Sequence, residues 1–236
     1  MSSPSDRLEG QRRDVRHAMT KVRNQRTWGM YIDPHRCNGC RACQVACKAE
    51  NNTPPGVSYM VVLEQERGEF PHTRRSFVPR PCMHCGKPSC ILVCPVQATF
   101  KQPDGTVVMD YMKCIGCRYC ATNCPYGARY FDFGESYADG APAPAAYEQR
   151  PSPEYARAWP RQPRISPIGN VRKCHHCQHR ILRSLLPACV EACPTGAITF
   201  GDLSEKESPV GIAISENPTY RLREELGNEP SVHYKE

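Results

Sequence analysis

Apolar residues in this chain come in short runs set between polar, turn-forming segments. Residues 1–27 are polar and rich in arginine, without a clear period. They read as a solvated or frayed arm, or as an arm that wraps a partner. Residues 28–33 read as a short strand. Asn-Asn-Thr-Pro-Pro-Gly-Val-Ser at 51–58 forms a turn, followed by a strand at 59–66 and a second extended piece at 75–80. Residues 98–101 and 106–110 read as the arms of a hairpin with Asp104-Gly105 at its tip. Another strand covers 128–133. Residues 135–168 change character, with seven prolines and no regular period. They read as a surface excursion, with partner contact as the sharper alternative. A last strand spans 197–201, and 205–236 is a charged tail, either solvated or laid across a partner. No apolar run approaches a membrane span.

Composition changes this picture through cysteine. The chain has 236 residues, 39% of them hydrophobic, with 23 prolines and 16 cysteines. A large apolar core is not expected, and so many cysteines must cross-link or bind metal. Disulfides need an oxidising compartment and a secreted chain. Residues 1–30 are charged throughout and lack the apolar run of a signal peptide. Arg12-Arg13 has no hydrophobic stretch after it, so it is not a twin-arginine signal.

The cysteines fall into four runs. Run one is Cys37, Cys40, Cys43 and Cys47, with Lys48 after it. Run two is Cys82, Cys85, Cys90 and Cys94-Pro95, and run three is Cys114, Cys117, Cys120 and Cys124-Pro125. Run four is Cys174, Cys177, Cys189 and Cys193-Pro194, with a wide central gap. In run three, three cysteines at three-residue steps wrap one corner of an iron–sulfur cube, and the fourth, before proline, points to a different cube. That is the two-cluster spacing of bacterial ferredoxins. A zinc site needs only four ligands in a tetrahedron and has no use for a triple step plus an outlier. The net charge of +7 would suit nucleic acid. Sixteen thiolates and four oxidised cluster cores bring the loaded protein to about −1, so the basic residues balance cluster charge and dock partners.

The flanks repeat as well. Asp33 and Asp110 each sit four residues before a run, and Cys94, Cys124 and Cys193 each open a Cys-Pro-x-x-Ala segment. A hairpin joins runs two and three, so they make one ferredoxin unit. By the same geometry the strand before run one needs a partner that follows a proline-terminated run, and 197–201 is the one left over. Run one therefore pairs with run four. Cross-ligation then gives one cube to Cys37, Cys40, Cys43 and Cys193, and another to Cys174, Cys177, Cys189 and Cys47. A third falls to Cys82, Cys85, Cys90 and Cys124, and a fourth to Cys114, Cys117, Cys120 and Cys94. The expected fold is α+β: two bacterial-ferredoxin-like units, one inserted in the other, with long loops and extended termini. The expected division is an arm at 1–27, a first unit at 28–74 and 169–204, an inserted unit at 75–134, a Pro-rich insert at 135–168 and a tail at 205–236.

The four runs, their order, the gap in run four and the insertion resemble the four-cluster electron-transfer subunit of molybdopterin oxidoreductases of the DMSO reductase family. Ala46-Cys47-Lys48-Ala-Glu50-Asn51-Asn52 and Leu186-Pro-Ala-Cys189-Val-Glu-Ala-Cys193 resemble most the subunits of respiratory arsenate, tetrathionate and polysulfide reductases. The resemblance covers about 28–203. It implies four [4Fe–4S] clusters, a molybdenum or tungsten pterin catalytic subunit at one end and a quinone-reactive integral membrane subunit at the other, in anaerobic respiration. It also implies attachment to the membrane through partners, with the extracytoplasmic face favoured, by export with a partner that bears the signal, and the cytoplasmic face the alternative. An iron–sulfur subunit of a soluble molybdopterin enzyme is the alternative, and a zinc-stabilised interaction module the reading from another class.

Arg172, Lys173, His175, His176 and Arg180 crowd run four and would raise its potential if they turned inward; as surface residues they would be solvated. His84, His175, His176 and His179 sit beside cysteines, but sixteen cysteines already fill four cubes. No Ser-His-Asp set, phosphate loop or H-E-x-x-H motif stands out, so no independent catalytic site is expected.

Overall fold

The computed structural model describes residues 4–140 and 145–236. Residues 1–3 of the arm and 141–144 of the Pro-rich insert lie outside the described residues.

The first segment is not a frayed arm. Pro4–Thr20 is a helix, α1. Its buried stripe is one side chain wide, running from Leu8 through Gln11 and Val15 to Ala18, so its period is hidden among charges. Val15 and Ala18 are fully buried. Gln11 Oε1 accepts from the backbone N–H of Phe200 at 2.9 Å, and the Arg26 guanidinium donates back to the Ala18 carbonyl at 2.9 Å. Packing, more than propensity, makes this helix.

Next come β1 (Trp28–Ile32), α2 (Ala42–Asn51), and the antiparallel pair β2 (Val61–Arg67) and β3 (Arg74–Arg80). The short helix α3 (Ser89–Leu92) leads to β4 (Thr99–Lys101) and β5 (Val107–Met109), an antiparallel hairpin. In its turn Asp104 Oδ1 accepts from the Thr106 N–H at 3.1 Å, and Gly105 takes a φ of +81°. The chain continues through α4 (Tyr119–Thr122), β6 (Tyr130–Phe131), a hairpin of β7 (Ser152–Glu154) and β8 (Arg157–Trp159), and β9 (Val171–Arg172). Two one-turn helices follow, α5 (Gln178–Ile181) and α6 (Ala188–Glu191), then β10 (Ile198–Asp202), α7 (Pro209–Glu216), β11 (Thr219–Tyr220) and β12 (Val232–Lys235).

β1 is interior to a four-stranded sheet of order β10-β1-β12-β11. It runs antiparallel to β10, with Met30 opposite Phe200, and parallel to β12. All five of its residues are buried, as in a strand covered on both faces. The strand at the head of run one therefore lies beside the strand that leaves run four. The tail is not solvated. Ser208 caps α7, its hydroxyl accepting from the Gly211 N–H at 3.0 Å, with proline in the first turn. In β12, buried Val232 and Tyr234 alternate with half-buried His233 and Lys235, and the Tyr234 hydroxyl donates to the Pro79 carbonyl at 2.9 Å.

The 135–168 segment is not surface throughout either. β6 pairs with β9, and the β7–β8 hairpin carries Ser152 and Glu154 into the interior with no exposure at all. There Arg172, also unexposed, ion-pairs with Asp132 at 2.8 Å and with Glu154. Arg172 also donates to the Tyr59 hydroxyl and to Ser152 Oγ, each at 2.9 Å. Tyr59, at 2.6 Å, and Tyr111 donate their hydroxyls to Glu154. Burial alone would raise the Glu154 carboxyl; the Arg172 charge and the hydrogen bonds from the two phenols more than offset it and hold it below its ordinary range.

Cysteines form part of the core itself. Cys43, Cys47, Cys82, Cys85, Cys174 and Cys189 pack with Met30, Ile32, Phe200 and Tyr234 in a larger cluster, and Cys90 and Cys120 with Met109, Tyr111 and Trp159 in a smaller one. Among the described residues no helix is long and apolar enough to cross a membrane.

Candidate iron–sulfur sites

Each run opens on a Cys-x-x-Cys loop whose third residue is left-handed: Gly39 at φ +74°, His84 at +42°, Gly116 at +70° and His176 at +57°. At Gly39 a Cβ would lie 2.6 Å from the Phe77 ring, and at Gly116 2.4 Å from the Gly169 carbonyl, so two of the loops require glycine twice over. In run four the turn aims the His176 N–H at Cys174 Sγ, 3.4 Å away. A second left-handed residue follows each Cys-Pro, at Gln97, Gly127 and Gly196. It turns the Ala98 N–H onto Cys94 Sγ at 3.2 Å and the Ala197 N–H onto Cys193 Sγ at 3.3 Å. Donors aimed at sulfur favour thiolate.

These loops gather the cysteines. Cys47, Cys174, Cys177 and Cys189 line one cavity together with Met30 and Met60. Cys82, Cys85, Cys90 and Cys124 line another, closed by Val107 and Tyr126. Burial pushes the Cys43 thiol up to about 12, and Cys193, Cys37 and Cys40 push it in the same direction. Cys120 is raised by burial and then, among thiols, by Cys90 and Cys114. Cys94 is half-buried and Cys117 exposed.

The donor chemistry fits a cube. Burial pushes Cys47 well up, and Cys177, Cys189 and Cys174 add to the rise, so four thiolates cannot coexist there without positive charge among them. Iron would supply that charge, and the thiol protons would leave on binding. Among the described residues no three His, Cys, Asp or Glu side chains are arranged to hold a single metal ion. Two of the sets stand around cavities, the arrangement a body of several atoms needs.

The sets also adjoin one another. Cys43 acts on Cys189, Cys82 on Cys174, and Cys90 on Cys120.

The residues beside run four are buried, not solvated. Arg172, Lys173, His175 and His176 are all within 1% of complete burial, whereas Arg180 is partly exposed and bridges Glu50 at 3.0 Å and Glu191. Two carboxylates neutralise Arg172, so it does not act on the run as a free charge. His175 Nδ1 accepts from the Gln178 N–H at 3.0 Å, which leaves its proton on Nε2, 3.0 Å from Asn51 Oδ1. Asn51 thereby turns its amide N–H groups to Cys47 Sγ at 3.5 Å and Cys177 Sγ at 3.8 Å. Asn51, and Arg129 with its guanidinium 3.0 Å from Cys90 Sγ, are functional candidates that sequence reasoning missed. The signal for Asn51 was available: it lies one helical turn beyond Cys47, on the same face.

These loops, sets and sheets define a ferredoxin-like iron–sulfur protein of mixed helix and strand. Models of the 4Fe-4S dicluster domain match residues 36–99 and, separately, 73–139 with 161–203. One subunit of the selenate reductase of Mesobacillus selenatarsenatis is 49% identical, over 94% of this chain and 76% of that one. The iron–sulfur cluster-binding subunit of menaquinone reductase from Nitratidesulfovibrio vulgaris is 38% identical over 88% of both chains. The iron–sulfur subunit of arsenate respiratory reductase from Shewanella sp. is 35% identical over 87% of this chain and 94% of its own. The chain belongs to the iron–sulfur electron-transfer subunits of the molybdopterin oxidoreductases, and it holds four [4Fe–4S] clusters.

Proposed function

We propose that this chain is a non-catalytic relay that passes single electrons between a molybdopterin catalytic subunit, with molybdenum or tungsten, and a quinone-reactive integral membrane subunit. The arrangement of cysteine sets carries the reading. One set is Cys37, Cys40, Cys43 and Cys193; the next is Cys174, Cys177, Cys189 and Cys47. Then come Cys82, Cys85, Cys90 and Cys124, and last Cys114, Cys117, Cys120 and Cys94, where Cys94 and Cys117 enter by equivalence with Cys193 and Cys40 in the repeat. The charge interactions Cys43–Cys189, Cys174–Cys82 and Cys90–Cys120 join the sets in that order. The two exposed cysteines, Cys40 and Cys117, fall in the two terminal sets.

Bound cubes supply reversible one-electron chemistry. The residues bind them, exclude water and set their charge environment. Pairing of β1 with β10 and of β4 with β5 supports a nested architecture, with a unit at 75–134 inserted between 28–74 and 169–204. The 135–168 segment then braces the second unit, and α1 and the tail complete the first.

Docking of the chain onto the membrane through its partners, on the extracytoplasmic face, completes the proposal. Anaerobic purification of the chain from its native source should bring down a large pterin-containing subunit, and that subunit's precursor should carry the export signal. A chain that purifies alone and turns over a substrate by itself contradicts the relay.

A further inference from the structure

Beside the cysteine sets, two buried cations have no carboxylate partner among the described residues. Arg129 is 6% exposed, and its guanidinium donates to Cys90 Sγ at 3.0 Å, to Thr99 Oγ1 at 2.8 Å and to Met109 Sδ at 3.0 Å. Lys173 has no exposure, and its ammonium donates only to the backbone carbonyls of Val107 and Cys174. Among the described residues neither forms an ion pair, in contrast to Arg172 next door with its two carboxylates. An unpaired buried cation is costly unless an anion belongs beside it. The anions at hand are thiolates. Arg129 sits on Cys90 Sγ, and Lys173 is anchored on Cys174 and on Val107, which lines the cavity of Cys82, Cys85, Cys90 and Cys124 with Arg129; both charges act to lower the Cys90 thiol.

The repeat marks Arg129 as a departure. The residue after Cys-Pro-x-x-Ala is Thr99 behind run two, Arg129 behind run three and Ile198 behind run four. Thr99 and Arg129 occupy equivalent places in one unit and touch each other, yet only one carries charge. The pseudo-symmetry of that unit is broken on the side of Cys90.

We propose that Arg129 and Lys173 make the site of Cys82, Cys85, Cys90 and Cys124 the highest-potential site of the four, the resting place of an electron in transit. This rests on the ligand sets proposed above. Reduction adds one negative charge to a cube, so a fixed cation beside it favours the reduced form and raises the potential. The neighbouring sets each feel one of the two cations, and the set with Cys47 has besides only the half-buried Lys48, held by the Pro54 and Val57 carbonyls. The set of Cys37, Cys40, Cys43 and Cys193 has neither.

The test is a redox titration, followed by electron paramagnetic resonance, of the full chain in its native complex. Cys82→Ser and Cys124→Ser first assign the site: each should abolish or alter the same signal. If they alter different signals, the ligand sets are wrong, whatever the potentials. With the signal assigned, it should have the highest midpoint of the four in the unsubstituted protein. Arg129→Gln should shift its one-electron equilibrium at least tenfold toward the oxidised form, about 59 mV. Lys173→Met should shift the same signal in the same direction. Arg129→Lys, which keeps the charge, should restore most of the loss. Iron content, measured on every variant, separates a shifted potential from a lost cluster. A lower rank for the assigned signal, or an unmoved midpoint in a fully loaded Arg129→Gln protein, overturns the proposal. If that variant does not load, the rank in the unsubstituted protein and the Lys173→Met shift decide it.

Discussion

Cys47→Ser protein should lose or convert the cluster at Cys174, Cys177 and Cys189 while the one at Cys37, Cys40 and Cys43 stays whole. Cys47 belongs to run one by sequence, yet it lines the cavity of run four, and its thiol is raised by burial and then by Cys177, Cys189 and Cys174 of that run. Cys193→Ser should do the reverse, since Cys193 heads the thiols that act on Cys43. Iron should fall from about sixteen atoms per chain to about twelve to fifteen in either variant. The effect should reach the fold, because cluster binding is coupled to folding and these two sites join the runs that flank β1 and β10, strands far apart in sequence that pair with each other. Spectra of the variants check it. An altered signal that belongs to a cluster of run two would mean that the first two runs pair in sequence and the nested architecture fails.

Glu154→Ala should be the most damaging substitution outside the cysteines. It leaves Arg172 with one carboxylate in a site without solvent and deprives the Tyr59 and Tyr111 hydroxyls of their acceptor. Breaking a buried pair by removing one partner costs about 3–5 kcal/mol. For a chain of this size that lowers the thermal transition by on the order of 10 °C. The β7–β8 hairpin should also become sensitive to protease, because Glu154 is its main tie to the interior. Glu154→Gln keeps the shape and an acceptor oxygen, so it should cost less. A Glu154→Ala protein that melts normally and resists cleavage would show that the hairpin is not part of the core.

Much of this site was legible in the sequence because ligand spacing is a covalent constraint. The triple step, the outlying Cys-Pro and the flanking strands leave few ways to close the runs on each other, and β1 does lie against β10. The hairpin at Asp104-Gly105 was legible for a similar reason, since its turn chemistry is local. What escaped depends on distant partners. In α1 the buried face is one side chain wide and includes Gln11, whose value lies in a backbone N–H at Phe200. In the tail the alternation of Val232, His233, Tyr234 and Lys235 is too short to distinguish from coil until β1 is there to pair with it. Glu154 sits among prolines and looks like any surface acid; only Arg172, eighteen residues on, makes it a core residue. The same limit hid Arg129, because charge on a sequence says nothing about whether it will be paired.

Iron and acid-labile sulfide analysis of the anaerobically purified full chain tests the central claim most directly. Four cubes held by sixteen cysteines predict about sixteen irons and sixteen sulfides per chain, without zinc. About eight irons, or zinc in place of iron, would contradict it.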